Sequence, residues 1–313
     1  MIDVACVGIM VADIKIRPVT KIPERGLLEK VDMIELHSGG NAMTAAININ
    51  RLGLDAAIIG KVGCDSLGDY LISELEKNNV CTAGVARDEK AQTSASVLIL
   101  SGDGERSFFH CVGADGTFRI SDVDWSTIKD AKIVFLTGVF LLDLFDRNDL
   151  TDFLKKCKEL DKITAVDVCW DSSGSWNKIL KPAMEYIDIF MPSIDEARKI
   201  ADKTEPEDCA DFFFSQGVGS VVIKLGSKGC YIREKQESES KTLPCLKGIK
   251  AVDTTGAGDS FCSGFLAAYS KGKSFEECAR FANAAGAMCV MSTGAATWAT
   301  SYEDTENFMK GKE

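Results

Sequence analysis

A chain of 313 residues that is 45% hydrophobic and 27% charged can bury a sizeable apolar core, and its composition excludes the disordered and fibrous classes. Its formal charge of −11 leaves no basic stripe to neutralise a phosphate backbone, so nucleic acid is not an expected partner. The first ten residues lack a basic region and no long apolar run follows, so neither a signal peptide nor a membrane span is expected and the reading is cytoplasmic.

In chain order, Val- and Ile-rich runs at 4–9, 56–61, 133–137, 163–168, 187–191 and 221–225 read as buried strands. Segments 66–78, 148–160, 195–201 and 206–216 carry apolar residues at helical intervals between them. Alternation of this kind predicts a doubly wound, mostly parallel sheet flanked by helices. Two segments break the rhythm. Residues 14–19 with 28–36, and 93–100 with 105–111, look like paired strands with no helix between, the second pair flanking the turn Ser101-Gly-Asp-Gly104. They are read as a small β-sheet lid spanning roughly 13–37 and 92–112 within one domain covering 1–313, and the pattern alone is equally compatible with a surface meander of no function. Residues 234–241 read as a solvated hairpin tip, and 256–271, 275–291 and 302–310 as closing helices. The twelve cysteines include no Cys-x-x-Cys pair and fit small buried hydrophobes in a reducing compartment better than zinc ligands or disulfides.

The chemistry concentrates in Asp253-Thr-Thr-Gly-Ala-Gly-Asp259. Gly256, Ala257 and Gly258 open a helix whose first N–H groups lack intrahelical partners, and small residues let a phosphoryl group approach them closely. Asp259 follows in the first turn, where it can accept a proton from an attacking hydroxyl and where the helix dipole is expected to keep it ionised. Read alone, the string is equally compatible with a Gly-rich helix start carrying a favourable acid.

The string 253–264 resembles the second signature of the ribokinase (PfkB) carbohydrate-kinase family, and Ser38-Gly-Gly-Asn41 through Arg51-Leu-Gly53 resembles its first. The resemblance covers roughly residues 3–300. It implies a ribokinase-like fold and an ATP-dependent kinase, with Mg2+ and in some relatives K+, acting on a sugar, polyol or sugar acid. It makes Asp259 the base and residues 256–258 the anion hole. It places the acceptor among Asp13, Gly39, Gly40, Asn41 and Thr44, Gly39 and Gly40 admitting it to the main chain. Arg106 on the lid is a further candidate for an acidic acceptor. Lys224, Gly226, Gly229 and Asn283 match nucleotide-side positions, and Glu196 matches the acid that organises magnesium through water. Asp253 matches the residue beside a monovalent cation. Val11, Thr44 and Ser193 depart from the family pattern, so phosphate transfer is better supported than acceptor identity.

Structural readings compete at several positions. Asp65 reads best as a helix cap, and Ser193-x-x-Glu196 is also a capping box. A nucleoside kinase is the alternative within the same fold. A non-catalytic sugar or nucleotide sensor would tolerate loss of the base, and a dinucleotide-dependent dehydrogenase would require a Gly-x-Gly-x-x-Gly that residues 7–12 do not supply. A homodimer formed through the lid is an expectation of the resemblance.

Overall fold

The computed structural model describes residues 1–101, 106–292, 296, 298–299 and 301–312, without the side chain of Arg106. In chain order the first half contains β1 (Ile2–Gly8), β2 (Val11–Val19), β3 (Met33–Gly39), α1 (Asn41–Arg51), β4 (Ala56–Gly63), α2 (Ser66–Lys77), β5 (Cys81–Asp88), β6 (Ala95–Ser101) and β7 (Arg106–Cys111). Then follow α3 (Trp125–Asp130), β8 (Ala131–Val139), α4 (Asp143–Asn148), α5 (Leu150–Glu159), β9 (Ile163–Val168), α6 (Trp176–Leu180), β10 (Ile189–Phe190), α7 (Ile194–Ala201) and α8 (Pro206–Ser215). The chain closes with β11 (Ser220–Lys224), β12 (Cys230–Arg233), β13 (Lys241–Leu243), α9 (Ala257–Ser270), α10 (Phe275–Val290) and α11 (Tyr302–Lys310).

Nine strands form one sheet in the order β13-β12-β11-β10-β9-β8-β1-β4-β5, and four form a second in the order β3-β2-β6-β7. In the large sheet every pairing is parallel except those of β12, which is antiparallel to both β11 and β13. A parallel strand covered by helices on both faces must be apolar on both, and β1 shows this. Val4 and Cys6 pack into the core beneath α1, α9 and α10, while Ala5 and Val7 pack into the opposite core with Phe153, Phe190 and Phe213.

From β1 the chain reaches β4 on one side and β8 on the other, so the order reverses at β1. Open α/β sheets bind ligands outside the carboxyl ends of their strands at such a reversal. The smaller sheet grows from that end, because β2 leaves β1 after only Ile9 and Met10.

Several elements depart from the sequence reading. The expected helix 148–160 is α5, and a short helix that was not expected, α4, precedes it; the two are separated at Asp149, whose carboxylate accepts from Arg119 Nε at 2.6 Å and from the Ile120 amide at 3.0 Å. The strand expected over 187–191 shortens to Ile189–Phe190. Strand β5 was not expected, since as an edge strand half open to solvent it lacks a continuous apolar run. Residues 102–104 of the expected turn lie outside the described residues, although β6 and β7 pair antiparallel around it. No described helix is long and apolar enough to cross a membrane.

Candidate active site

The carboxyl ends of β9 and β11, the start of α7 and the start of α9 enclose a cleft of about 530 Å³. Asn41, Asp167, Glu196, Lys224, Gly226, Gly256, Ala257, Gly258 and Asp259 line it. Each is brought there by a short-range rule. Gly256 caps α9 with φ 75°, a left-handed conformation costly for any residue with a Cβ. The amides of Gly258 and Asp259 donate to nothing among the described residues, so two of the helix's orphan donors face the cleft. Gly258 also brings the backbone within reach of Lys224, since a Cβ there would lie 3.4 Å from Nζ.

Asn41 opens α1 and donates through Nδ2 to Asp259 Oδ1 at 2.7 Å, while its Oδ1 accepts from Cys169 Sγ at 3.4 Å. This contact ties the two signature strings together across 218 residues of chain. Burial, and then the charge of Asp167, push the Asp259 carboxyl up to about 7, although the Asn41 bond and Lys224 oppose them. The expectation that the helix dipole keeps this group ionised is therefore corrected: near neutrality the carboxyl is divided between its two forms.

Lys224 ends β11 and pairs with Asp167 of β9 at 2.7 Å, with only 13% of the lysine side chain and 4% of the aspartate exposed. Burial opposes its charge, but the carboxylates around it, Asp167 foremost, keep it protonated. It is thus a fixed cation beside the amides of α9. Asp167 was missed in the sequence reading. Its signal was a carboxylate in the otherwise apolar run Ile163–Val168, one residue from the end of a central strand.

Glu196 completes a capping box, its Oε2 accepting from the Ser193 amide at 2.7 Å. It nevertheless lines the cleft, so the cap and the cleft share one side chain. Burial raises its pKa, with Lys224 opposing.

Asp13 and Gly39 form a second cluster where β3 leads into α1. A Cβ on Gly39 would stand 2.2 Å from Asp13 Oδ2, and one on Gly40 would stand 2.5 Å from the Ile9 carbonyl oxygen. The positions a Cβ would take at these glycines are filled by the protein, and Gly39 serves to seat the Asp13 carboxylate. Burial pushes Asp13 up to about 6.

The remaining residues sit apart. Thr44 is buried one turn beyond Asn41. Gly229 is also buried, and any Cβ there would strike the Leu243 carbonyl, which makes it a packing residue. Asn283 donates to the Pro244 carbonyl at 3.3 Å and lines a separate pocket of about 470 Å³ with Lys247, Arg280 and Lys312. Asp253 Oδ1 accepts the Thr255 amide at 2.9 Å and shapes the approach to Gly256. Asp65 caps α2 and also clamps Thr93 at the root of β6, with Thr93 N and Oγ1 donating at 2.7 and 2.6 Å. The Arg106 side chain lies outside the described residues.

An amide-lined helix start, a fixed lysine and a carboxyl group poised near neutrality form a constellation suited to phosphoryl transfer, which depends mainly on positioning and charge stabilisation. The model of the pfkB family carbohydrate kinases matches residues 1–301. The chain belongs to that family. The sensor and dehydrogenase alternatives are set aside by the assignment. A Pyrococcus horikoshii protein described as a sugar kinase is 30% identical to this kinase over 302 residues, covering 93% of this chain and 91% of its own. The 2-dehydro-3-deoxygluconokinase of Bacillus subtilis is 25% identical over 280 residues, covering 87% and 86%. The structure of Arabidopsis thaliana ribokinase complexed with ribose and ATP matches with a TM-score of 0.84 over 99% of both chains at 25% identity.

Proposed function

We propose that this kinase transfers the γ-phosphoryl group of ATP to a hydroxyl of a sugar, polyol or sugar acid within one catalytic domain. The acceptor oxygen attacks phosphorus in line, its proton passes to Asp259, and the bond to the bridging oxygen breaks as ADP leaves with the electron pair. The Gly258 and Asp259 amides and Lys224 stabilise the charge that develops on the transferring group. The Asn41 bond to Asp259 is the observation that carries this reading, because it holds the base at the mouth of the amide pair.

The acids present fit a magnesium ion that arrives with ATP. Among the described residues no three potential ligands cluster, and Asp167 and Glu196 are already partly committed, to Lys224 and to the Ser193 amide. Such a donor set suits an ion held mostly by water and phosphate. When bound, the ion would supply charge neutralisation on the phosphates, and Glu196 would help to hold it through water. The nucleotide extends along Lys224 and Gly226 toward the pocket of Asn283. A potassium requirement through Asp253 is tested by comparing turnover in potassium and tetramethylammonium chloride.

The apolar outer face of the lid supports pairing with a second copy, since Ile34 and Phe109 are 67% and 68% exposed on it beside Ile14, Ile16, Val97 and Ile99. Twelve cysteines, none in a disulfide, support a cytoplasmic setting. The names of its relatives point to ribose in one case and a sugar acid in another, so the acceptor's charge is not fixed by likeness. The proposal is tested by ADP release with purified protein and an acceptor panel that includes nucleosides. Turnover confined to nucleosides contradicts it.

A further inference from the structure

The register of the lid divides its residues between two faces. Asp13 lies opposite His37 and Ser96, and Ser96 opposite His110, so these four form one row across the sheet. Lys15, Glu35, Leu98 and Phe108 form the next row on the same face. This is the inner face, because its first row touches the Gly39 turn that leads into Asn41 and so to Asp259.

The charges on that face are unequally committed. Arg17 is held by Glu35, at 3.0 Å from Nε and 2.9 Å from a terminal nitrogen. The Ser96 hydroxyl lies 3.1 Å from His110 Nδ1. Lys15 stands directly across from Glu35, which is taken by Arg17; it makes neither an ion pair nor a hydrogen bond among the described residues, and its charge acts on Asp13 two residues along the strand. Beside it, His37 Nε2 is shielded from solvent without a hydrogen-bond partner, 3.8 Å from Glu35. Burial, and then the charge of Lys15, lower the pKa of His37 although Glu35 opposes them, which keeps the imidazole neutral next to a cation.

We propose that Lys15, with His37 beside it, binds an anionic end of the acceptor, so that the substrate is a sugar acid or sugar phosphate with one hydroxyl at Asp13. Two residues along a strand span about 6.7 Å, which suits a five- or six-carbon chain carrying a hydroxyl near one end and an oxyanion at the other. An anion answers an ammonium that has Asp13 near it but no ion pair, and a ring nitrogen that has no hydrogen bond, whereas a neutral polyol brings no charge to the ammonium. The inference rests on the kinase reading above and deepens its acceptor side.

The test measures ADP release with matched pairs: gluconate against sorbitol, ribonate against ribitol, and fructose 6-phosphate against fructose. The carboxylate and phosphate arms separate the two sources of the anion. The wild-type protein should favour the anionic member of at least one pair by tenfold or more in kcat/KM. Lys15→Gln should erase that preference with less than a threefold change for the neutral member, and Lys15→Arg should restore it. ADP release confined to neutral acceptors, or equal losses for both members in Lys15→Gln, overturns the anion site while the kinase reading stands. No ADP release with any acceptor overturns both.

Discussion

Replacing Asp259 by Asn should inactivate the kinase and stabilise it, and the pH dependence of the second effect follows from the cleft. In the folded chain the carboxyl titrates at about 7, against 3.8 in the unfolded state. Below pH 4 the group is neutral in both states and the Asn variant should gain nothing. Between 4 and 7 the unfolded chain ionises while the folded one does not, so the wild-type protein loses stability relative to the variant by ~1.4 kcal/mol per pH unit. Above 7 both are ionised and the difference levels off, with an upper bound of about 4 kcal/mol. A chain of this length unfolds with an entropy of roughly 0.66 kcal/mol/K, so that bound corresponds to about 6 °C in Tm. Asn keeps an acceptor oxygen for Asn41 Nδ2, so the contact between α1 and α9 survives the change. Thermal unfolding at pH 5 and pH 8 measures the effect, which should be roughly two to three times larger at pH 8. A variant no more stable than wild type, or a gain of equal size at both pH values, would refute the reasoning.

Because the free base must be deprotonated, kcat/KM of the wild-type protein should fall tenfold per pH unit below about 7, which a pH–rate profile reads directly. Gly39→Ala forces a Cβ against Asp13, so KM for the acceptor should rise at least tenfold while that for ATP stays within twofold. Lys224→Met strands the buried Asp167 carboxylate and should lower stability by about 3 kcal/mol. Adding Asp167→Asn should recover part of that loss in a double-mutant cycle by denaturant unfolding. Asp65→Ala removes a helix cap together with two bonds to Thr93, and should cost about 2 kcal/mol in the same assay.

The sheet and the glycine-rich start of α9 were legible because each rests on a local signal. Buried parallel strands are written as Val- and Ile-rich runs, and the turn at Gly256 requires a residue that accepts φ 75°. Contacts between distant segments left weaker traces. The Asp167–Lys224 pair joins residues 57 apart, and nothing near Lys224 in the chain points to its partner. The break at Asp149 depends on Arg119, which belongs to a different part of the sequence. Gly39 and Gly40 were visible as glycines, but the reason for them, Asp13 in one case and the Ile9 carbonyl in the other, is a matter of packing. The ionisation of Asp259 was misjudged for the same cause: the helix start is local, whereas Asp167 and the burial that oppose it are set by the fold.

The most direct test of the account is transfer of a radiolabelled γ-phosphate from ATP to the acceptor in a single turnover, comparing wild type with Asp259→Asn after ATP affinity has been measured for both by calorimetry. The account predicts ATP binding within about threefold and transfer slowed by a factor of 10² to 10⁴, the range expected for loss of a general base. Undiminished transfer in the variant contradicts it.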